Sequence, residues 1–105
     1  FMMVDRFVNG RPENDEPVKD KTINPKANYF GGDLVGIEKI KDGYFEKLGI
    51  NTLWLSPITQ NPKGAYGKYP TPPTTFSGYH GYWPISLKQI DYRYGSRQEL
   101  EDLLN

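Results

Sequence analysis

The sequence predicts an α/β fold built on one strand-helix-strand unit, and three observations support this prediction. An apolar run opens the chain over residues 1–8. Apolar residues at helical spacing follow over residues 33–48, and a second compact apolar run covers residues 50–56. A strand, a helix of crossover length and a second strand, in that order, form a βαβ unit with parallel strands.

The first strand and the first helix each carry their own boundary signals. The apolar run of residues 1–8 is closed by the turn dipeptide Asn9-Gly10, as expected for a short buried strand. Asp33 stands at the N-cap position of the helix, and Gly49 supplies its C-terminal signal. The apolar face of this helix consists of Leu34, Ile37, Ile40, Tyr44 and Leu48.

Two long loops and a second helix complete the predicted organisation. Residues 9–32 contain three prolines and no sustained periodicity, which predicts a long loop, and loops of this length in compact domains are usually functional or disordered. Pro57 ends the second strand and begins another long loop over residues 57–84. Ser96 and Glu99 have the spacing of a capping box, which predicts a second helix at the end of the chain.

Composition excludes several classes of partner. Thirteen basic residues balance thirteen acidic ones, so the chain lacks the excess positive charge with which proteins bind nucleic acid or anionic membrane surfaces. No apolar run approaches the ~18 residues of a membrane span, and the first residues are too few for a secretory signal. Cysteine is absent, which excludes disulfides and thiolate metal sites. We expect both ends to be cuts within a longer chain, and any export signal to lie upstream.

Oxygen-bearing residues are concentrated in the first loop, over residues 9–15 and 31–33. Calcium takes six to eight oxygen ligands, and Asn and Asp side chains together with backbone carbonyls can supply them. The alternative is that these residues only form turns and that Asp33 only caps a helix. Composition alone favours this alternative.

A second cluster combines three aromatic rings with the single histidine in Gly78-Tyr79-His80-Gly81-Tyr82-Trp83. Aromatic rings can cover the apolar face of a sugar, and an imidazole can hydrogen-bond its hydroxyls. A lone histidine is also often purely structural, so residues alone leave both interpretations open. A usual zinc site is excluded because the chain has one histidine and no cysteine.

The acidic residues provide no catalytic pair. Asp5, Asp33 and Asp91 are isolated acids near predicted element ends, and none has a carboxylate partner at a recognisable spacing. Glycoside cleavage generally uses two carboxylates that flank the bond. We therefore assign no catalytic residue to this chain.

Taken in order, the motifs resemble the beginning of the α-amylase family of glycoside hydrolases. The resemblance spans almost the whole chain. Its long first loop is similar to that of cyclodextrin glucanotransferases, neopullulanases and, most of all, the starch-utilisation amylases of gut Bacteroidetes. The matching segments are Val4-Asp5-Arg6-Phe7, Asn9-Gly10, Asn14-Asp15, Tyr29-Phe30-Gly31-Gly32-Asp33-Leu34, Leu48-Gly49-Ile50, Leu53-Trp54-Leu55-Ser56-Pro57-Ile58, Gly78-Tyr79-His80-Gly81-Tyr82-Trp83, Ile90-Asp91 and Tyr94-Gly95.

The resemblance implies a fold and a cofactor. Residues 1–105 are expected to be the N-terminal portion, the first two strand-helix units, of a (β/α)8 TIM barrel. Residues 9–33 are then a calcium-binding loop, and residues 57–84 belong to the substrate cleft. The residues that match the family's calcium ligands are Asn9, Asn14, Asp15, the carbonyl of Gly31, and Asp33. With this match, calcium binding is favoured over the alternative that these residues only form turns. One departure is Arg11, which stands where relatives carry an oxygen-bearing side chain.

The resemblance also implies substrate contacts and a function. Tyr82 matches the tyrosine that stacks on the sugar beside the cleaved bond, and His80 matches the histidine that hydrogen-bonds the same ring. Tyr79 and Trp83 are their neighbours, either contacting the α-glucan or supporting those that do. The family's three catalytic carboxylates lie on later strands. The whole protein is thus expected to be an exported retaining hydrolase of α-1,4-glucans such as starch, and this fragment to be inactive. The alternatives are a non-catalytic barrel and a small carbohydrate-binding module.

Overall fold

The computed structural model describes residues 1–70 and 73–105. Its helices and strands are α1 (Leu34–Lys47), β1 (Thr59–Gln60), β2 (Tyr66–Pro70), β3 (Pro73–Phe76), β4 (Ser86–Ile90) and α2 (Arg97–Leu104). Short 3-10 turns lie at Val4–Arg6, Pro12–Asn14 and Pro25–Ala27. These elements confirm the predicted α/β class.

The two predicted strands of the βαβ unit are reduced to a single parallel bridge between Met2 and Leu55. The amide of Met2 donates to the carbonyl of Trp54 at 2.8 Å, and the amide of Ser56 donates to the carbonyl of Met2 at 2.9 Å. The predicted parallel orientation is thus confirmed, but strands over 1–8 and 50–56 are wrong. The ladder stops because the Val4 amide donates to the Ser56 hydroxyl at 3.0 Å and the chain then enters a 3-10 turn.

Helix α1 begins where the sequence predicts and is interrupted before its end. The Asp33 carboxylate accepts from the amide of Gly36 at 2.8 Å, which confirms the N-cap. Leu34 and Ile37 are fully buried on the inner face. The helical backbone is broken at Asp42 and Gly43, and Leu48 is the C-cap residue.

The segment 57–84 is more ordered than a single long loop. Strands β2 and β3 within it pair antiparallel, with Tyr66 opposite Phe76, and β1 pairs antiparallel with β4, which follows the segment, with Thr59 opposite Ile90. Residues 71–72 of the predicted loop lie outside the described residues. The prediction missed β2 and β3 because prolines and a glycine interrupt the alternation that normally identifies a strand.

The core joins the first loop to the end of the chain. Its buried cluster consists of Val4, Tyr29, Ile37 and Tyr94. Helix α2 begins with the predicted capping box between Ser96 and Glu99. In the described part of the chain, the strands form two two-stranded sheets and not a closed barrel. Neither described helix has the length and apolarity needed to cross a bilayer.

Candidate functional site

Asp33 connects the start of the first loop to helix α1. Its side chain is fully buried. Besides capping the helix, the carboxylate accepts from the amide of Gly10 at 2.9 Å and from that of Arg11 at 3.1 Å. These bonds hold the backbone after Asn9 against the first turn of α1. Two of them go to one oxygen, so the other carboxylate oxygen retains a lone pair.

Asn9, Asp15 and Gly31 lie in contact with one another. Gly31 has a φ of 103°, and a Cβ atom built on it would lie 2.5 Å from the Asn9 amide nitrogen and 2.8 Å from an Asp15 carboxylate oxygen. Only glycine combines this backbone conformation with so close an approach. The Asn9 amide nitrogen donates to Asp15 at 2.6 Å, so Asn9 presents its nitrogen, and not its oxygen, to the carboxylate.

Two side chains of this loop, Asn14 and Tyr29, carry buried polar atoms without a hydrogen-bond partner among the described residues. In Asn14, both the side-chain oxygen and the side-chain nitrogen are in this state within the part of the chain that the structure describes. Buried amides nearly always have a partner, which can be a protein group, a water or an ion, so the Asn14 side chain has capacity for one further ligand. Arg11, in contrast, extends away to Glu99 of α2, at 2.9 Å. The loop thus contains oxygen-bearing side chains of the kind that calcium takes, Asn14 among them, although the amide of Asn9 turns its nitrogen toward Asp15.

The described residues hold no group of three or more His, Cys, Asp and Glu side chains that could bind a metal. The candidate set in the first loop differs from such a cluster because two of its members are amides and one is a backbone carbonyl. Oxygen sets of this mixed kind are typical of calcium and not of zinc.

Residues 78–83, which we call the aromatic turn, pack against Pro57, two residues after the Leu55 that pairs with Met2. The amide of Gly81 donates to the carbonyl of Gly78 at 2.9 Å and closes the turn. Gly81 has a φ of 85°, and a Cβ on it would lie 2.2 Å from the carbonyl oxygen of Pro57. The turn therefore lies in direct contact with the backbone of Pro57.

His80 stands at the centre of the aromatic turn. Its ring centroid is 5.3 Å from that of Tyr79, 6.2 Å from that of Tyr82 and 4.8 Å from that of Trp83. Its Nδ1 accepts from the amide of Tyr82 at 2.9 Å, so the neutral ring carries its proton on Nε2. Burial lowers the pKa of His80, which favours this neutral form.

Tyr82 and Trp83 have different surroundings. The side chain of Tyr82 is 55% exposed and presents a ring to solvent. Trp83 is partly buried, and its amide donates to the side-chain oxygen of Asn61 at 3.0 Å. Trp83 also lines an open cleft of about 600 Å³, together with Pro62, Lys63, Tyr66 and Ile85. An exposed ring beside an imidazole N–H can bind a sugar by stacking and a hydrogen bond.

Tyr79 is held from two directions. The guanidinium of Arg6 lies 4.1 Å from the centre of its ring and 3.7 Å from that of Phe30. The carbonyl of Tyr79 accepts from the hydroxyl of Tyr94 at 2.7 Å. Because Arg6 covers one face of the Tyr79 ring, these contacts favour the supporting role among the two predicted for it.

Sequence reasoning did not identify the residues that position the aromatic turn. Asn61 is fully buried, and its backbone N–H donates to the Asp91 carboxylate at 3.0 Å. Arg93 binds the same carboxylate and donates to the carbonyl of Asn61 at 3.2 Å. The opposite charges of Asp91 and Arg93, two residues apart, were the available signal. Nothing in the sequence marked Asn61. Its role is evident only from the fold, which places it against Gly78.

The three isolated acids are all engaged with donors from the chain itself. Asp5 accepts from the amides of Phe30 and Gly31 and pairs with Arg6. Asp33 accepts three amides, and Asp91 pairs with Arg93. Each of these carboxylates therefore has a structural partner within the chain.

The chain matches the family model for the α-amylase catalytic domain over residues 1–105. It is 34% identical over 110 residues to the cyclomaltodextrin glucanotransferase of Thermoanaerobacterium thermosulfurigenes, covering 99% of this chain and 15% of that enzyme. A cyclomaltodextrin glucanotransferase of Paenibacillus macerans is 35% identical over 112 residues, covering 98% of this chain and 14% of the enzyme. The chain thus spans a small part of the curated relatives that it matches.

Solved structures of enzymes from the same family also superpose on this chain. A cyclomaltodextrin glucanotransferase with a three-domain ABC distribution superposes with a TM-score of 0.80 at 31% identity, covering 98% of this chain and 21% of the other. An Anoxybacillus α-amylase superposes with a TM-score of 0.73 at 35% identity, covering 98% of this chain and 19% of the other. The similarity therefore extends to the arrangement of the backbone.

Proposed function

This chain belongs to the α-amylase family, and from that premise we propose that it contributes the sugar-binding aromatic turn and a calcium loop to a retaining enzyme that cleaves α-1,4-glucosidic bonds. In this proposal, residues 1–105 form the opening part of the (β/α)8 barrel. The catalytic carboxylates belong to other parts of the barrel. They act by double displacement through a covalent glycosyl-enzyme.

One observation carries the proposal: an exposed Tyr82 ring stands beside a neutral His80 on a turn held by the protein interior. Tyr82 stacks on the apolar face of a glucosyl ring, and its backbone is held for this contact by the bond between its amide and His80. His80 Nε2 carries the free proton and donates to a sugar hydroxyl. Fixed contacts of this kind favour one ring orientation and reduce the ordering cost of binding.

The substrate in this proposal is an α-glucan of the starch type. A glucosyl ring offers an apolar face and equatorial hydroxyls, the two features that an aromatic ring and an imidazole recognise. Among the neighbours, one α-amylase from Geobacillus thermoleovorans was solved with acarbose bound and superposes with a TM-score of 0.66 at 34% identity. Its similarity to this chain supports a ligand of the oligosaccharide class.

We further propose that the first loop binds calcium. The residues that would hold the ion are Asn9, Asn14, Asp15, the carbonyl of Gly31, and Asp33. The support is the buried, unpartnered amide of Asn14, together with the contacts that join Gly31 to Asn9 and Asp15. When bound, the ion would neutralise the Asp15 and Asp33 charges and cross-link the two ends of the loop.

The proposed function is tested by assaying the full-length protein on a soluble maltooligosaccharide. We expect release of reducing sugar, with the new reducing end formed in the α configuration, as retention requires. Tyr82→Ala should reduce turnover strongly. The matched control is Tyr92→Ala, at a tyrosine that is 37% exposed and outside the aromatic turn. Equal activities of the two variants, or inversion at the anomeric carbon, would refute the proposal.

A further inference from the structure

Tyr94 lies in the core directly beneath the aromatic turn. It is fully buried, and its hydroxyl donates to the carbonyl of Tyr79 at 2.7 Å. Its backbone is fixed as well, because the amide of Leu34 donates to its carbonyl at 2.8 Å and its own amide donates to the carbonyl of Asp91 at 2.9 Å. The hydroxyl therefore projects from a rigid base.

The accepting carbonyl belongs to the peptide bond between Tyr79 and His80. A hydrogen bond to this oxygen fixes the plane of that peptide and hence the direction in which the His80 side chain leaves the backbone. His80 in turn accepts the amide of Tyr82 at 2.9 Å. A continuous series of contacts thus runs from Tyr94 through Tyr79 and His80 to the exposed ring.

We propose that Tyr94 is a positioning residue for sugar binding: its hydroxyl holds the Tyr79 carbonyl and so sets the geometry of His80 and Tyr82 without touching the sugar. The consequence for catalysis rests on the proposed function, whereas the consequence for the turn does not. Burial raises the pKa of Tyr94, so the hydroxyl remains a donor across the physiological range.

Tyr29 provides a matched control in the same core. It is 6% exposed, and its ring centroid lies 6.3 Å from that of Tyr94. Its hydroxyl is buried and has no hydrogen-bond partner among the residues that the structure describes. Removal of this hydroxyl changes core polarity by the same amount as removal of the Tyr94 hydroxyl, but breaks no bond to the turn.

The test compares Tyr94→Phe with Tyr29→Phe in the full-length protein by amide hydrogen exchange. The reporters are the amides of Gly81 and Tyr82, whose acceptors lie within the turn, and the reference is the amide of Leu100 in α2. Loss of the hydroxyl leaves the Tyr79 carbonyl unsatisfied, so exchange at the reporters should rise about tenfold in Tyr94→Phe. In Tyr29→Phe it should not rise.

Kinetics on a maltooligosaccharide supply the second measurement. We expect kcat to fall about tenfold in Tyr94→Phe with a smaller change in KM, because misplaced groups lose contacts that form in the transition state. Unchanged exchange at the turn, or an equal rise at Leu100, would overturn the inference. Faster exchange at the turn alone, in a protein without activity on α-glucans, would support the inference and refute the proposed function.

Discussion

Asp91 and Arg93 form a buried ion pair with two parallel contacts. Arg93 Nε donates to Asp91 Oδ1 and Nη2 donates to Oδ2, both at 2.9 Å. The side chains are 0% and 3% exposed for Asp91 and Arg93, respectively. The guanidinium also lies 4.0 Å from the centre of the Tyr29 ring. The pair therefore connects the first loop, Asn61 and the end of the chain.

Arg93→Met should destabilise the protein by about 3–5 kcal/mol, because it leaves the Asp91 charge buried and unpaired. Urea denaturation of the full-length protein measures the change in the free energy of unfolding. The control is Arg97→Ala, which breaks the ion pair between Arg97 and Glu101. In this pair the Arg97 side chain is 88% exposed and the Glu101 side chain 52% exposed. Its cost should be about 0–1 kcal/mol. Equal costs for the two variants would contradict the structural role assigned to Asp91.

Calcium should raise the thermal midpoint of the full-length protein, because a ligand that binds only the folded state stabilises it. Asn14→Ala should abolish this shift and cost little in chelator, since the Asn14 side chain has no hydrogen bond to lose among the described residues. Asp33→Ala is the contrasting variant. It should lower the midpoint with and without calcium, because it also removes three amide contacts. A full calcium shift in Asn14→Ala would exclude Asn14 as a ligand.

Tyr82→Ala should lower kcat/KM for a soluble maltooligosaccharide. The loss of transition-state stabilisation should be about 1–3 kcal/mol, the range for stacking on flat rings. Tyr82→Trp keeps a stacking surface and should retain most of the activity. Steady-state kinetics on both variants provide the comparison. Indistinguishable losses in the two would show that the exposed ring has no stacking role.

The stability of the aromatic turn should decrease on the acid side of neutrality. The pKa of His80 in the folded protein lies below its ordinary value of 6.5, so the unfolded chain takes up the proton first as the pH falls. The contribution of His80 is complete above pH 6.5 and is lost as the pH falls from there through the folded pKa. Thermal midpoints between pH 5 and 8 measure this dependence.

His80→Asn is the matched control for this titration. Its side-chain oxygen can replace Nδ1 as the acceptor for the Tyr82 amide, and it does not titrate in this range. The acid-side decrease in midpoint should be smaller in His80→Asn than in the unmodified protein. A decrease of the same size would assign the effect to other groups.

A polypeptide of residues 1–105 should self-associate and should release no reducing sugar from starch. An apolar groove of about 340 Å³ is lined in part by Phe1, Tyr44, Leu48, Leu53 and Trp54. The side chain of Trp54 is 70% exposed, and such patches drive association. Trp54→Asp should reduce the sedimenting mass. Leu87→Asp, at an exposed site outside this groove, should leave it unchanged. A monomer active on starch would refute the assignment of the catalytic groups to other parts of the protein.

Local signals were sufficient for the elements whose ends are made by neighbouring residues. Asp33 caps α1 because its carboxylate reaches an amide three residues on, and Ser96 and Glu99 cap α2 by the same short-range geometry. The order of motifs was sufficient for the family, which the match over residues 1–105 confirms. The caps depend on contacts between close neighbours, and the family depends on the order of motifs along the chain, so neither required the tertiary structure.

The tertiary structure decided the features that depend on contacts distant in sequence. An apolar run predicts a strand over residues 1–8, yet only Met2 pairs with Leu55, because the backbone beyond it bonds to Ser56 and to the first loop. Sequence spacing gave no reason to join Tyr94 to Tyr79, or Asn61 to Trp83. Fifteen or more residues separate each pair, and only folding brings their donors and acceptors within hydrogen-bonding distance. The sequence by itself therefore determined the family and the helix ends, whereas the support of the aromatic turn was decided by packing.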